Sequence, residues 1–168
     1  MNDSEPKPTL GPLGALIGEW SGRGHGSYPT TEDFDYEETI SFASTGKAFL
    51  VYNQRTTDAR DGRPLHAETG YLRSLGDGRV EMVVAQPTGV VEVDEGVVVH
   101  SGDVVDVKVA SSSVAFSSTA KAVDAVERTL RLKDGVLETT LAMAAVGVPL
   151  THHLESQLRR SGQTTTNA

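Results

Sequence analysis

Sixteen of the 47 residues from Val80 to Val126 are valine. A β-branched side chain is confined to one rotamer on a helix and packs without that loss on a pleated sheet, so this density specifies strands. Turn formers interrupt the chain at short intervals: Asp61 with Gly62, Gly76 with Asp77 and Gly78, Gly89, Gly96, Gly102 with Asp103, and Asp134 with Gly135. That is the spacing of antiparallel hairpins. Between turns the hydrophobic period is two, as in Val105, Val107 and Val109 against Asp106 and Lys108, or Leu130 and Leu132 against Arg131 and Lys133. One face of each strand is therefore buried and the other wet. The pattern predicts a short helical turn near Leu10 to Leu16, then about ten strands. The first three run Gly18 to Ser27, Asp35 to Ser44 and Ala48 to Thr57, and the last Leu150 to Arg159. Ser118 to Glu127 has helical spacing, but its apolar content is mostly alanine. Ten short strands close into a sandwich or a barrel. One Trp, four Tyr and four Phe fill a thick sandwich core poorly. The expectation is an all-β, antiparallel up-and-down ten-stranded barrel with a ligand in part of its interior.

At 168 residues the chain suits one domain. We expect it over residues 10–160, with a disordered lead-in at 1–9 and a polar, Thr-rich disordered tail at 161–168. A formal charge of −8 with no block of basic residues argues against nucleic acid or an anionic membrane as partner. The longest apolar run, Leu141 to Val148, is far short of the ~18 residues of a membrane span. The start lacks the features of a secretory signal, so the expected location is cytoplasmic. There is no cysteine, which excludes disulfides, iron–sulfur clusters, cysteine zinc sites, thiolate catalysis and thioether-linked haem.

The stretch from Gly18 to Gly26 reads GEWSGRGHG. If it is extended, one face carries Gly18, Trp20, Gly22, Gly24 and Gly26, almost bare backbone around one indole. Glycine weakens a strand, so this face implies close approach of a ligand or another backbone, or a sharp bend at a barrel corner. It is no dinucleotide loop, because the third glycine of that motif and its following helix are missing.

This run, continued by Tyr28, Pro29 and Thr30, resembles the G-x-W-x-G-x-G and Y-P-T signature of the nitrobindins. The likeness extends through Phe34, Tyr36, Glu37 and Glu38, through Pro64 to Gly70, and to Pro149, Leu150, His153 and Leu154, covering about residues 12 to 159. It implies a barrel like that of fatty-acid-binding proteins, holding one non-covalent haem b per chain. In that family the ferric iron isomerises peroxynitrite to nitrate and binds nitric oxide. The substrate is thus a small molecule, and a homodimer is compatible with this reading. The alternative is a non-catalytic carrier of a fatty acid or another apolar small molecule, since lipid-binding barrels share the Gly-x-Trp start. A protein-interaction module lacks support, because no exposed apolar stripe is legible.

An axial ligand would come from the five histidines. His100 reads as a turn residue, His25 as a surface residue opposite the glycines, and His66 as the partner of a neighbouring carboxylate. Alternation puts His152 in phase with Leu150, Leu154 and Leu158, hence inside. The resemblance instead implies His153 as metal ligand and catalytic residue. A bulge after Pro149, or leucines packing outward, would reconcile the two. Haem propionates call for donors at the pocket rim, and the resemblance points to Thr30 and Lys121, with Arg23 a weaker candidate. Gly18, Trp20, Gly22 and Gly24 join them as expected cofactor-binding positions. The acidic clusters Glu37 with Glu38, and Glu92, Asp94 and Glu95, read as solvated strand faces or edge protection.

Overall fold

A computed structural model describes residues 9–162. Residues 1–8 and 163–168, most of the expected lead-in and tail, lie outside the described residues. A 3-10 turn at Gly11–Leu16 precedes ten strands: β1 (Gly18–Tyr28), β2 (Thr31–Ser44), β3 (Phe49–Asp58), β4 (Pro64–Gly76), β5 (Arg79–Ala85), β6 (Val90–Ser101), β7 (Val104–Phe116), β8 (Val123–Lys133), β9 (Val136–Ala145) and β10 (Val148–Arg160). Each pairs antiparallel with its sequence neighbours, and β1 pairs β10 to close the barrel. The hairpin reading holds locally. Asp134 and Gly135 both take positive φ, at 50° and 71°, the geometry that matches a tight turn to strand twist. The segment from Ser118 becomes a loop and then β8, because tertiary pairing overrides an alanine-based helical preference.

In an up-and-down barrel alternate turns lie at opposite ends. One end collects the turns at 45–48, 77–78, 102–103 and 134–135, and the 3-10 turn plugs it. Leu13, Leu16 and Trp20 are fully buried there among Phe42, Leu50 and Leu72. The Trp20 indole Nε1 donates to Leu16 O at 2.8 Å. The Arg160 guanidinium lies 4.3 Å over the Trp20 ring and donates to the Ile17 and Ala15 carbonyls. Those contacts satisfy the last turn's carbonyls and close this end. The other end is the mouth, formed by the connections at 29–30, 59–63, 86–89, 117–122 and 146–147.

The bare face of β1 serves the protein's own atoms. A Cβ at Gly22 would strike the Gln157 carbonyl oxygen, one at Gly24 the Tyr36 ring, and one at Gly26 the Phe34 ring. Close backbone approach and two covering rings therefore account for these three glycines.

Strand phase holds two corrections. Glu38, Glu92 and Asp94, expected on wet faces, point into the barrel, with Glu92 and Asp94 fully buried. On β6 the acids occupy the inward phase, while Val91 and Val93 face out. Together with Tyr71, Val97 and Val99 these valines expose apolar surface on the outer wall of β4 to β6, where alternation alone showed no stripe. Among the described residues no helix is long and apolar enough to cross a membrane.

Candidate functional site

β10 is irregular where it leaves the mouth. His152 pairs with Ala142 and Leu154 with Leu141, so His153 is an extra residue without a partner on β9. A bulge of this kind resets the alternation. Leu154 and Leu158 stay inward although Leu150 is exposed, and His152 turns out, half-exposed, with Nε2 3.5 Å from Glu155. His153 turns into the mouth.

Its imidazole is held on three sides. Nδ1 lies 3.0 Å from the Ser27 carbonyl oxygen. A carbonyl only accepts, so Nδ1 carries the proton and Nε2 keeps a free lone pair. The Tyr28 ring meets it edge-on at 5.1 Å between centroids, and Phe34 does so at 6.3 Å. Tyr28 is itself fixed: its hydroxyl donates toward the Met143 and Ala145 carbonyls and accepts the Ala145 N–H at 3.1 Å. Burial lowers the His153 pKa, the Ser27 contact opposes this, and charge on His66 and His152 lowers it further. The neutral ring with a free Nε2 is the form that binds a metal, and its backbone tie is the support metal-ligating histidines use.

Thr30, in the β1–β2 turn, and Lys121, in the β7–β8 connection, are exposed at the same end as His153. Gly18 and Trp20 lie at the plugged end, and Gly22 and Gly24 lie along β1 under protein atoms, so the structure does not bring these four to the mouth. Arg23 points outward and pairs with Glu37 at 3.4 Å. His25 is on the outer wall, its pKa raised by a hydrogen bond to Asp35, and His100 is exposed near the plugged end.

Below the mouth lies a charged layer absent from the sequence expectations. Arg128 donates to Glu68 at 2.8 and 3.0 Å and to Glu92 at 2.9 to 3.2 Å. Tyr52 donates to Glu68 at 3.0 Å, and Gln86 to Glu92 at 2.5 Å. Burial alone would raise the Glu68 pKa, but Arg128 and His66 overcome it and hold the carboxyl at about 2. His66 places Nε2 3.1 Å from Glu68 Oε1, the carboxylate pairing expected of it. Asp58 latches the connection into β4: it takes hydrogen bonds from Arg60 and Arg63, chiefly the Arg60 side chain, which hold its carboxyl well below the usual range. The only sequence signal for the layer is acids falling in phase with buried valines, and a solvated edge strand reads the same way.

A cavity of about 40 Å³ opens beside this layer, lined by Glu38, Gln54, His66, Glu68, Arg128 and Leu154 among others. It admits water-sized guests. Its lining mixes the buried acids with Ile40, Met82, Val107 and Leu130, but its volume is too small for an acyl chain, so the interior does not favour a fatty-acid carrier. The residues at the mouth include donors of the kind a haem calls for: a neutral imidazole with two rings against it, and an exposed hydroxyl and ammonium at the same end.

Residues 9–160 match the family model described as THAP4-like, heme-binding beta-barrel domain. The chain is 46% identical over 153 residues to a protein of Mycobacterium marinum named peroxynitrite isomerase 2, covering 91% of this chain and 95% of that one. It is 48% identical over 153 residues to a peroxynitrite isomerase of Nocardia farcinica, covering 91% of each. Among solved structures, Rv2717c from M. tuberculosis superposes with a TM-score of 0.89 at 43% identity, over 93% of this chain and 99% of that one.

Proposed function

This chain belongs to the THAP4-like haem-binding β-barrel family, and we propose that it isomerises peroxynitrite to nitrate on one non-covalently held ferric haem b, with His153 as the protein's iron ligand. The observation that carries this is the anchored His153 ring, its Nδ1 spent on Ser27 and its Nε2 free at the mouth. The names of the mycobacterial and nocardial relatives support the reaction. When bound, ferric haem supplies a Lewis-acidic centre with an open coordination position suited to an anionic oxygen donor and to nitric oxide.

The protein's own part is positional. Ser27 and the bulge set the direction of Nε2, and Tyr28 and Phe34 restrict ring rotation and exclude water from one side. Thr30 and Lys121 offer a hydroxyl and an ammonium to the propionates. A neutral imidazole donates less electron density than a thiolate, which suits rearrangement rather than oxygen activation. Peroxynitrite and nitrate have the same atoms and charge, so the conversion calls for no reductant and no second substrate.

Titration of the purified protein with ferric haem tests the assignment. The Soret band should shift at one equivalent for the wild type and for His152→Ala, and His153→Ala should lose the histidine-ligated spectrum. Stopped-flow mixing with peroxynitrite should then give accelerated decay with nitrate as product. Haem uptake indifferent to His153→Ala would overturn the ligand assignment.

A further inference from the structure

Four acids and one arginine are buried inside the barrel: Glu38, Glu68, Glu92 and Asp94 against Arg128. Arg128 is spent on three of the four. It donates to Glu68 and Glu92 and lies 3.7 Å from Asp94, and His66, the other basic group lining the cavity, pairs with Glu68 as well. Glu38 forms no ion pair among the described residues. Its Oε1 accepts from Gln54 Nε2 at 2.8 Å across β2 and β3.

What remains at that pair is an acceptor on each side. Glu38 Oε2 and Gln54 Oε1 are buried and have no hydrogen-bond partner among the described residues. The amide cannot turn over to supply a donor, because its nitrogen is held by Glu38 and a flipped oxygen would meet a carboxylate. Glu38 is 7% exposed and Gln54 5%, so bulk water does not solvate them. Both line the cavity of about 40 Å³, beside the side chains of Tyr36, Thr129 and Thr140. Two orphan acceptors on neighbouring strands, at one small space, call for a guest that donates to both.

Charge narrows the choice of guest. A buried carboxylate without a cationic partner is costly, and burial accordingly raises the Glu38 pKa. A neutral donor would make the hydrogen bonds and leave the excess negative charge in place. We propose that the cavity binds one small monovalent cation, of the size of ammonium or potassium, held by Glu38 Oε2 and Gln54 Oε1. The Gln54 amide fixes the direction of the carboxylate, and the hydroxyls of Tyr36, Thr129 and Thr140 offer further oxygens. Among the described residues no group of three or more His, Asp or Glu side chains is arranged for a metal ion. One carboxylate with neutral oxygens suits a single charge, whereas a divalent ion draws on several charged ligands. The site is built from the chain's own atoms and goes beyond the haem reading. Its occupancy ties β2 to β3 from inside the barrel, so stability should depend on the cation.

Thermal melting of the full chain at constant ionic strength tests this. Ammonium or potassium chloride should raise Tm saturably over tetramethylammonium chloride, whose ion is too large to enter. The rise should be about 3–6 °C at about ten times the Kd, and comparing the two salts tells ammonium from potassium. Glu38→Gln keeps the shape and an oxygen for Gln54 but not the charge, and should lose the response. A crystal soaked in rubidium chloride should show an anomalous peak beside Glu38 and Gln54, which locates the ion without a variant. No rise above the tetramethylammonium control, a rise that Glu38→Gln retains, or a rubidium soak without a peak in the cavity would overturn the proposal in favour of a proton on Glu38 or a bound water. None of these readouts involves haem, so each leaves the His153 assignment standing.

Discussion

Arg128 Nε lies 3.7 Å from Asp94, a fully buried carboxyl with no hydrogen bond to either oxygen. Arg128 has already committed its donors to Glu68 and Glu92. Three acids around one guanidinium leave one without a partner, and an unpaired buried charge is costly. Burial, with repulsion from Glu92 and Glu68 and only partial relief from Arg128, raises the Asp94 pKa to about 7.

The pH dependence follows from that value. Folded Asp94 holds its proton from the unfolded pKa near 4 up to about 7, while the unfolded chain has released it. The folded state binds more protons at Asp94 in that window, so the contribution of Asp94 to stability is fully present below about pH 4 and is lost as pH rises to about 7. Asp94→Asn, a neutral isostere, should match the wild type near pH 4 and exceed it by about 4 kcal/mol at pH 8. Denaturant unfolding at both pH values measures this, and parallel wild-type and variant profiles would refute it.

Tyr28→Phe removes a hydroxyl that holds Ala145 N–H and reaches two carbonyls of β9. The loss should be about 1–2 kcal/mol of stability. If the ring also steadies His153, haem dissociation should speed up several-fold, read by transfer of haem to apomyoglobin.

Gly22→Ala should be worse than Gly24→Ala. The new methyl meets backbone at Gly22, where β1 pairs β10, and a side-chain ring at Gly24. A ring can shift at a cost of about 1–3 kcal/mol, whereas moving the Gln157 carbonyl disturbs the barrel seam. Thermal melting of the two variants ranks them, and the reverse order would point to a void beside Gly22.

Trp20→Phe tests where the cofactor is not. Trp20 is buried against Leu16 and Arg160 at the plugged end. The substitution should lower stability by roughly 1–3 kcal/mol and leave the Soret maximum of the haem-loaded protein in place. A moved Soret band would put the indole near the haem.

Valine density, hairpin turns and period-two alternation were enough to specify about ten antiparallel strands, because each depends on residues a few positions apart, while the choice of barrel over sandwich leaned on the aromatic count and the family resemblance. The Gly-x-Trp run and the histidine count likewise belong to the chain before it folds. Which histidine faces the mouth did not follow from alternation: one unpaired residue in β10 shifts the phase, and that bulge exists only against β9. The inward turn of Glu92 and Asp94 was equally hidden, since an acid alternating with valine reads as a wet face unless an arginine arrives from another strand. Arg128 is 36 residues from Glu92 and 60 from Glu68. Local sequence determined the strands and their turns. Closure of the barrel decided which side of each strand is inside, because only there do distant charges, rings and a bare backbone meet.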